Sequence, residues 1–209
     1  MTETSALSSL LRFAGVTDES VTDALLSRFG SLSAVLSSDR RELIAAGLSE
    51  RAAILIQTAA SILARSAEDQ LSSGTVFDRS EKLAAFFVRR YLDASVERVS
   101  LLLLDSDYRP LTLRKIAEGA INSAAVEPRR IAEEAVFAGA SYAVLAHNHP
   151  RGLPIPSRDD EVTTALVSEA LSTVGVLLIE HYLVAGNTAV PVCRLSTTLT
   201  QVMPESFYT

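Results

Sequence analysis

The sequence predicts a small all-α domain over residues 1–72, followed over residues 80–209 by an α/β (α+β) domain in which helices flank a mixed sheet. Before about Leu71 the apolar residues recur at helical spacing, and beyond it short β-type apolar runs alternate with helical segments. Residues 72–75, rich in serine and glycine, separate the two patterns and indicate a linker. We therefore expect two domains of different secondary structure.

Several short helices are expected in the first domain. The breaks between them fall at three glycines: Gly15, Gly30 and Gly47. Three serines stand where a helix N-cap would be useful: Ser31, Ser38 and Ser49. Apolar residues from Ala52 to Leu63 keep the helical spacing, so we expect a longer final helix there.

The apolar pattern of the second domain predicts both helices and strands. A helix is expected at about residues 81–92, and short β-type runs predict strands at residues 98–104, 110–117, 142–146, 176–184 and 189–193. Pro128 at a first-turn position and Gly139 as a stop signal frame a second helix. Ser157 is a suitable N-cap for a last helix that runs toward Leu171.

The composition excludes several classes of protein. The chain is 48% apolar, enough for a packed core, but apolar runs such as residues 101–104 and 176–179 are far shorter than the roughly 20 residues that cross a bilayer. The first residues lack the basic and apolar regions of a secretory signal, so we expect a cytoplasmic protein with no membrane contact. Cys193, the single cysteine, can form no intrachain disulfide and is expected to be a small core residue.

The charge distribution disfavours strong nonspecific binding to DNA. The net charge is −6, and residues 1–72 carry 6 basic and 9 acidic side chains. Lys and Arg supply most of the affinity of proteins for phosphates, and neither domain has an excess of them. A local basic patch, and hence DNA as a partner, is still compatible with this composition.

The candidate chemistry lies where the third expected strand ends. Two of the three histidines of the chain, His147 and His149, stand two residues apart there. Because side chains two apart in a strand share a face, the two imidazoles leave the strand end side by side and could share one cation. Asp160, in the first turn of the helix that Ser157 caps, can reach back and supply an anionic ligand.

Two histidines, one aspartate and a fourth position left to water form the arrangement of catalytic zinc sites. Zinc lowers the pKa of such a water to about 7 and can polarise a carbonyl, and the Ser157 hydroxyl could donate a hydrogen bond to an oxyanion. Each residue also has an ordinary interpretation: an accidental His-x-His pair, a helix cap at Ser157 and a helix-dipole acid at Asp160. The combined spacing is the specific feature, and it favours His147, His149 and Asp160 as zinc ligands.

The same segment resembles the signature of a known family. Residues 147–152, HNHPRG, followed by residues 156–160, PSRDD, are similar to the motif of the RadC proteins, which belong to the JAMM (MPN+) metalloprotease-like superfamily. The resemblance runs from about Glu81 to Cys193 and includes residues 97–105. It implies a JAMM/MPN-type domain, with a mixed sheet flanked by helices, that carries a zinc-dependent hydrolase site.

The resemblance also implies a general base. RadC-like sequences place a glutamate at the start of their first strand, which corresponds to Glu97, and there it would hold the reacting water and take its proton. The residues alone leave this choice open, because four other glutamates are equally available by spacing: Glu118, Glu127, Glu133 and Glu134. His181 follows the apolar run 176–179 and is interpreted as a structural residue.

RadC-like proteins also carry a helical segment that resembles helix-hairpin-helix DNA-binding modules, and residues 29–32 and 42–65 are similar to it. Such modules use a Gly-hydrophobic-Gly turn whose backbone amides approach a phosphate, whereas residues 46–49 read Ala-Gly-Leu-Ser here. The lost glycine and the acidic balance favour a structural or protein-binding role over binding to a DNA duplex.

The sequence thus favours a zinc-dependent hydrolase, metallopeptidase-like or isopeptidase-like, that cleaves an amide or isopeptide bond in a protein or peptide. The alternative that the family implies is an accessory protein of DNA repair or recombination, which binds DNA or repair proteins. A pseudoenzyme with a structural metal is a further alternative, as is a helical half that binds a partner protein beside a scaffold domain.

Overall fold

The computed structural model of the chain describes residues 2–119, 126–150 and 152–193. Arg151 of the histidine motif and residues 120–125 lie outside the described residues. The N-terminal part is helical, as predicted, with these bounds: α1 (Glu3–Phe13), α2 (Glu19–Phe29), α3 (Leu32–Ser37), α4 (Arg40–Ala45) and α5 (Glu50–Asp69).

Two of the three predicted serine caps are confirmed. The side chains of Ser31 and Ser49 accept hydrogen bonds from the first turns of α3 and α5. The prediction for Ser38 is wrong, because α4 begins one residue later and Asp39 caps it. Asp39 Oδ1 accepts from Glu42 N at 2.8 Å, and the Glu42 carboxylate accepts from Asp39 N at 3.2 Å, which is a capping box with a negative charge at the positive helix end.

The N-terminal helices pack around the small residues of α5. The core residues that these helices share include Leu7, Leu25, Val35, Leu43, Ala53 and Ile56. Leu92, which follows the next helix, joins this cluster, while Ala67 near the end of α5 belongs to the cluster under the sheet. Side chains thus pack across the predicted linker, and the division into domains at residues 72–80 stays a prediction.

The C-terminal part is a mixed sheet between helices, which confirms the predicted fold class. Its helices are α6 (Ser80–Arg90), α7 (Pro128–Ala138) and α8 (Arg158–Thr173). Its strands are β1 (Arg98–Leu104), β2 (Pro110–Glu118), β3 (Tyr142–Asn148), β4 (Leu177–Ala185) and β5 (Thr188–Pro191). The strand order is β2-β1-β3-β4-β5, and only β3 and β4 among these neighbours are parallel, joined by α8 as the crossover helix.

Most predicted bounds agree with the structure within two residues. β3 runs on to Asn148, two residues beyond the prediction, so His147 lies inside the strand and not after it. Pro128 at the start of α7 and Gly139, left-handed with φ 66°, at its end act as predicted. Cys193 is partly exposed just after β5, so its prediction as a core residue is wrong.

The two faces of the sheet are covered differently, and this decides where the site lies. Leu102 and Leu104 of β1 belong to the cluster under α6, whereas Val99, Leu101 and Leu103 belong to the cluster under α7 and α8. This is the alternation of a strand that is buried on both faces.

In the part of the chain that the structure describes, no helix has the length and apolar character of a membrane span.

Candidate metal centre

The candidate centre lies at one end of the sheet, on the face covered by α7 and α8. Val99 of β1 is paired with His147 of β3 in an antiparallel register. Glu97 stands two residues before Val99, and His149 stands two residues after His147. Both therefore lie on the same face of the sheet, next to the ends of neighbouring strands. Antiparallel pairing thus brings together a glutamate and two histidines that are about 50 residues apart in sequence.

The start of α8 supplies the carboxylate. Ser157 is the N-cap, and a capping box connects it with Asp160: the Ser157 amide and hydroxyl each donate to Asp160 Oδ2 at 2.7 Å. The Asp160 amide in turn donates to Ser157 Oγ at 3.2 Å. These bonds fix one carboxylate oxygen and leave the other, Oδ1, directed at His147 at 3.2 Å from its Nε2.

The surroundings of Asp160 favour the ionised form of its carboxyl group. Burial alone would raise the pKa of its carboxyl group, but the His147 imidazole and the two Ser157 donors hold this pKa well below its usual range. Asp160 is therefore ionised at neutral pH and offers an anionic ligand atom.

The three predicted ligands are brought together. His147, His149 and Asp160 each offer one ligand atom, and these atoms all lie within 4.8 Å of one another. The ring centroids of the two histidines are 5.1 Å apart. They line a cavity of about 240 Å³, which the predicted catalytic residues Glu97 and Ser157 also line.

The surroundings of one ring nitrogen of His147 indicate whether these residues fit a metal ion. His147 Nε2 is buried and has no hydrogen-bond partner among the described residues, since its contact with Asp160 lacks hydrogen-bond geometry. His147 Nδ1, the other ring nitrogen, lies 2.9 Å from a nitrogen of His181. A cation between Nε2 and the Asp160 carboxylate would give this nitrogen a partner, and two imidazoles with one carboxylate are the donor set of a catalytic metal site with an open position. The residues fit such an ion.

Glu97 is the only one of the five candidate glutamates that the cavity lining includes. Glu118 pairs with Arg98 and Lys115, and Glu127 is exposed at the start of α7. Glu133 and Glu134 form surface ion pairs with other side chains. Of the five candidate glutamates, the position of Glu97 in the cavity therefore favours it as the base. Its role as a general base stays a prediction.

Sequence reasoning missed the part played by Asn148. This buried residue, between the two histidines, accepts a hydrogen bond from the Arg98 amide at 2.8 Å through Oδ1 and donates one to the Val96 carbonyl at 3.1 Å through Nδ2. The two bonds are made on either side of Glu97. Their only signal in the sequence is a polar residue at a strand position where a buried apolar one is expected.

Sequence reasoning also missed the contact that His181 makes with the site. The interpretation of His181 as a structural residue did not anticipate its hydrogen bond to His147, nor the one between its Nδ1 and Thr164 Oγ1 at 2.6 Å. Burial lowers the pKa of His181 well below its usual range, and the nearby His147 lowers it further, so the ring is neutral at neutral pH.

The backbone beside His149 is held close by Gly152. A Cβ atom at Gly152 would stand 2.9 Å from His149 Cβ and 3.3 Å from its Nδ1. The Gly152 amide donates to the His149 carbonyl at 3.3 Å, so Gly152 is held close to the imidazole. Only glycine leaves room for the ring in this position.

Comparison with known proteins assigns the part of the chain that contains the candidate centre to a known domain family. The sequence profile of the RadC-like JAB domain matches residues 77–194. The chain is similar to a UPF0758 protein of Methylibium petroleiphilum, with 34% identity over 80% of this chain and 76% of that protein. It is also similar to a UPF0758 protein of Pseudoalteromonas atlantica, with 33% identity over 79% of this chain and 75% of that protein.

The matched region contains the whole sheet and every residue of the candidate centre. On the strength of the profile and of these relatives, the chain belongs to the RadC family, and its C-terminal part is a RadC-like JAB domain.

Proposed function

We propose that the protein is a zinc-dependent hydrolase that cleaves an amide or isopeptide bond in a protein or peptide. The observation that carries the proposal is the convergence of His147, His149 and Asp160, with ligand atoms within 4.8 Å of one another, on a cavity that Glu97 also lines. The kinship with a metalloprotease-like superfamily supports the choice of bond.

Zinc is the metal that we propose for this donor set. Two imidazole nitrogens and one carboxylate oxygen match the three protein ligands of catalytic zinc sites, which keep a fourth position open. When bound, zinc would act as a Lewis acid on a carbonyl oxygen and would lower the pKa of a water molecule. His147, His149 and Asp160 would hold the ion.

Glu97 acts in this proposal as the group that moves a proton. Its position two residues before Val99 places it on the face of the sheet that carries both histidines. A carboxylate oxygen of Glu97 accepts a proton from the attacking water while the new C–O bond forms at the substrate carbonyl. The same group then donates the proton to the leaving nitrogen as the C–N bond breaks.

Ser157 acts first of all on Asp160. Its hydroxyl proton is directed at Asp160 Oδ2, so the serine orients the ligand and keeps it charged. The predicted donation to an oxyanion requires the hydroxyl to rotate away from this carboxylate, after which the Ser157 amide alone would hold Oδ2.

The test is hydrolysis of a library of quenched fluorescent peptides and lysine isopeptides by the zinc-loaded protein. We expect activity that is lost on chelation and restored by zinc, and a Glu97→Gln variant that is about 100-fold slower or worse with its zinc content unchanged. Glu169→Gln changes an exposed glutamate of α8 and is the matched control, expected to equal the wild type. Equal rates for Glu97→Gln and the wild type would contradict the proposal.

A further inference from the structure

A chain of hydrogen bonds runs behind the candidate metal centre and connects two of its ligands. His147 Nδ1 lies 2.9 Å from His181 Nε2, and His181 Nδ1 lies 2.6 Å from Thr164 Oγ1. The Thr164 hydroxyl donates at 2.6 Å to the backbone carbonyl of Asp160. The chain therefore starts at the ring of one ligand and ends at the main chain of another.

The direction of the last bond is fixed, because a carbonyl oxygen can only accept. The single hydroxyl proton of Thr164 is used there, so Thr164 Oγ1 must accept from His181 Nδ1. A neutral His181 with its proton on Nδ1 has a lone pair on Nε2. His147 Nδ1 must then carry a proton and donate it to that lone pair.

The consequence for His147 concerns its other nitrogen. A neutral imidazole protonated at Nδ1 has its lone pair at Nε2, which is the atom that faces Asp160 and has no hydrogen-bond partner among the described residues. The opposite tautomer would place a proton on Nε2 and exclude a metal ion from it.

We propose that Thr164 and His181 are positioning residues that lock His147 in the tautomer able to bind a metal through Nε2. The inference rests on the proposed metal-dependent function and adds two residues to it. Thr164 does not line the cavity and His181 does, but in this inference both act through His147.

A bulge in the sheet makes this contact possible. β3 and β4 pair with a register shift, in which Ala143 lies opposite Leu178 and Val144 opposite Glu180, so β4 contains one extra residue. In a strand without this bulge, Leu178 and His181 would point to opposite faces, because they are three residues apart. With it, both face α8: Leu178 shares the cluster that includes residues of α8, and His181 contacts Thr164 of the same helix.

The first test is zinc affinity, measured by competition with a chromophoric chelator. Thr164→Val keeps the shape of the side chain and removes the hydroxyl, and His181→Leu removes the whole connection; we expect zinc to bind 10- to 100-fold more weakly to both. Thr164→Ser keeps the hydroxyl, and His181→Gln keeps an acceptor near the position of Nε2, so both should bind zinc within about threefold of the wild type.

Thr173→Val is the matched control. It removes another hydroxyl from α8 that donates to a backbone carbonyl, there of Ala170, but that makes no hydrogen bond to a histidine among the described residues. It should leave zinc affinity unchanged. Because His181 is buried and its leucine variant could misfold, the two Thr164 variants decide the outcome, with thermal unfolding of the zinc-free proteins as the check on folding.

The second test observes the tautomers directly by long-range ¹H–¹⁵N correlation of the imidazoles. The chain has only three histidines, so each ring can be assigned by substitution. We expect protons on Nδ1 of both His147 and His181 in the zinc-loaded protein, and a loss of the single His181 tautomer in Thr164→Val.

A proton on Nε2 of His181 in the zinc-loaded wild type would overturn the inference, as would a Thr164→Val variant that binds zinc like the wild type. In both cases the wild type still binds zinc, and the proposed function stands. A wild type that binds no zinc would overturn the proposed function together with the inference.

Discussion

The side chain of Asn148 brackets Glu97 by binding the main chain on both sides of it, at the Arg98 amide (2.8 Å) and at the Val96 carbonyl (3.1 Å). Asn148 also lies between the two candidate histidine ligands in the sequence. One short segment at the end of β3 therefore carries two candidate ligands on one face and, through the residue between them, fixes the main chain on both sides of the proposed base.

Loss of this bracket should slow the reaction without removing the metal. For Asn148→Ala we expect a kcat lower by roughly 10- to 100-fold, since a displacement of about 1 Å can have such an effect, and a zinc affinity within about threefold of the wild type. Asn148→Asp keeps an acceptor for the Arg98 amide but repels the Val96 carbonyl, so its kcat should be intermediate.

Asn187→Ala, in the turn between β4 and β5, is the control for this pair and should behave as the wild type. Steady-state kinetics and zinc titration decide the outcome. If Asn148→Ala lost zinc in proportion to its activity, Asn148 would serve the histidines and not Glu97.

Ser157→Ala should affect both folding and metal binding. It removes a helix N-cap, which destabilises proteins by about 1 kcal/mol, and also the hydroxyl that donates to Asp160 Oδ2. Ser49→Ala removes the N-cap of α5 and should have a similar effect on stability in urea unfolding, but it should not change zinc affinity. Equal zinc affinities for the two variants would show that Ser157 does not act on the ligand.

Gly152→Ala should weaken zinc binding by displacing His149, because the new methyl group would stand 2.9 Å from His149 Cβ. Gly139→Ala, at the left-handed end of α7, is the reverse case: it should lower stability by about 1 kcal/mol and leave zinc affinity unchanged. Calorimetric zinc titration and thermal unfolding of both variants check this. Unchanged zinc affinity in Gly152→Ala would contradict the tight packing behind the imidazole.

The buried Glu180 should make stability depend on pH. Burial raises the pKa of Glu180 to about 7, and among the described residues its carboxylate accepts a hydrogen bond only from the adjacent His181 amide. Because the folded-state pKa lies above the unfolded value near 4.5, the contribution of Glu180 to stability is fully present below about pH 4.5 and is lost as the pH rises toward 7.

Glu180→Gln keeps the acceptor and cannot ionise. It should therefore match the wild type near pH 4.5 and be more stable than the wild type at pH 8, by at most about 3 kcal/mol. Urea unfolding of both proteins across this range measures the difference. A constant difference at all pH values would mean that Glu180 does not titrate with folding; Glu169→Gln should show no pH-dependent change.

The fold class and the proximity of the three candidate ligands could be predicted from the sequence because their signals are local. His149 stands two positions after His147 where β3 ends, and Asp160 stands three positions after Ser157 in one capping box. Glu97 could not be chosen from the residues alone, because antiparallel pairing of β1 with β3 brings it to the site from about 50 residues away. Only the family resemblance pointed to it.

The contact of His181 with the site could not be predicted from the sequence for a different reason. From Leu178 a regular strand alternation places His181 on the face opposite α8, and only the bulge in β4 turns it toward Thr164. A one-residue shift in strand register leaves no mark in the pattern of apolar residues, so a structural role was the natural interpretation of this histidine from the sequence.

The most direct test of the central claim is the metal content of the protein, measured by elemental analysis after purification without a histidine tag. We expect about one zinc ion per chain in the wild type, and a loss of it in both His149→Ala and Asp160→Ala. A wild type that contains no zinc and gains none when zinc is added, or variants that retain it, would contradict the metal centre and the hydrolase proposed from it.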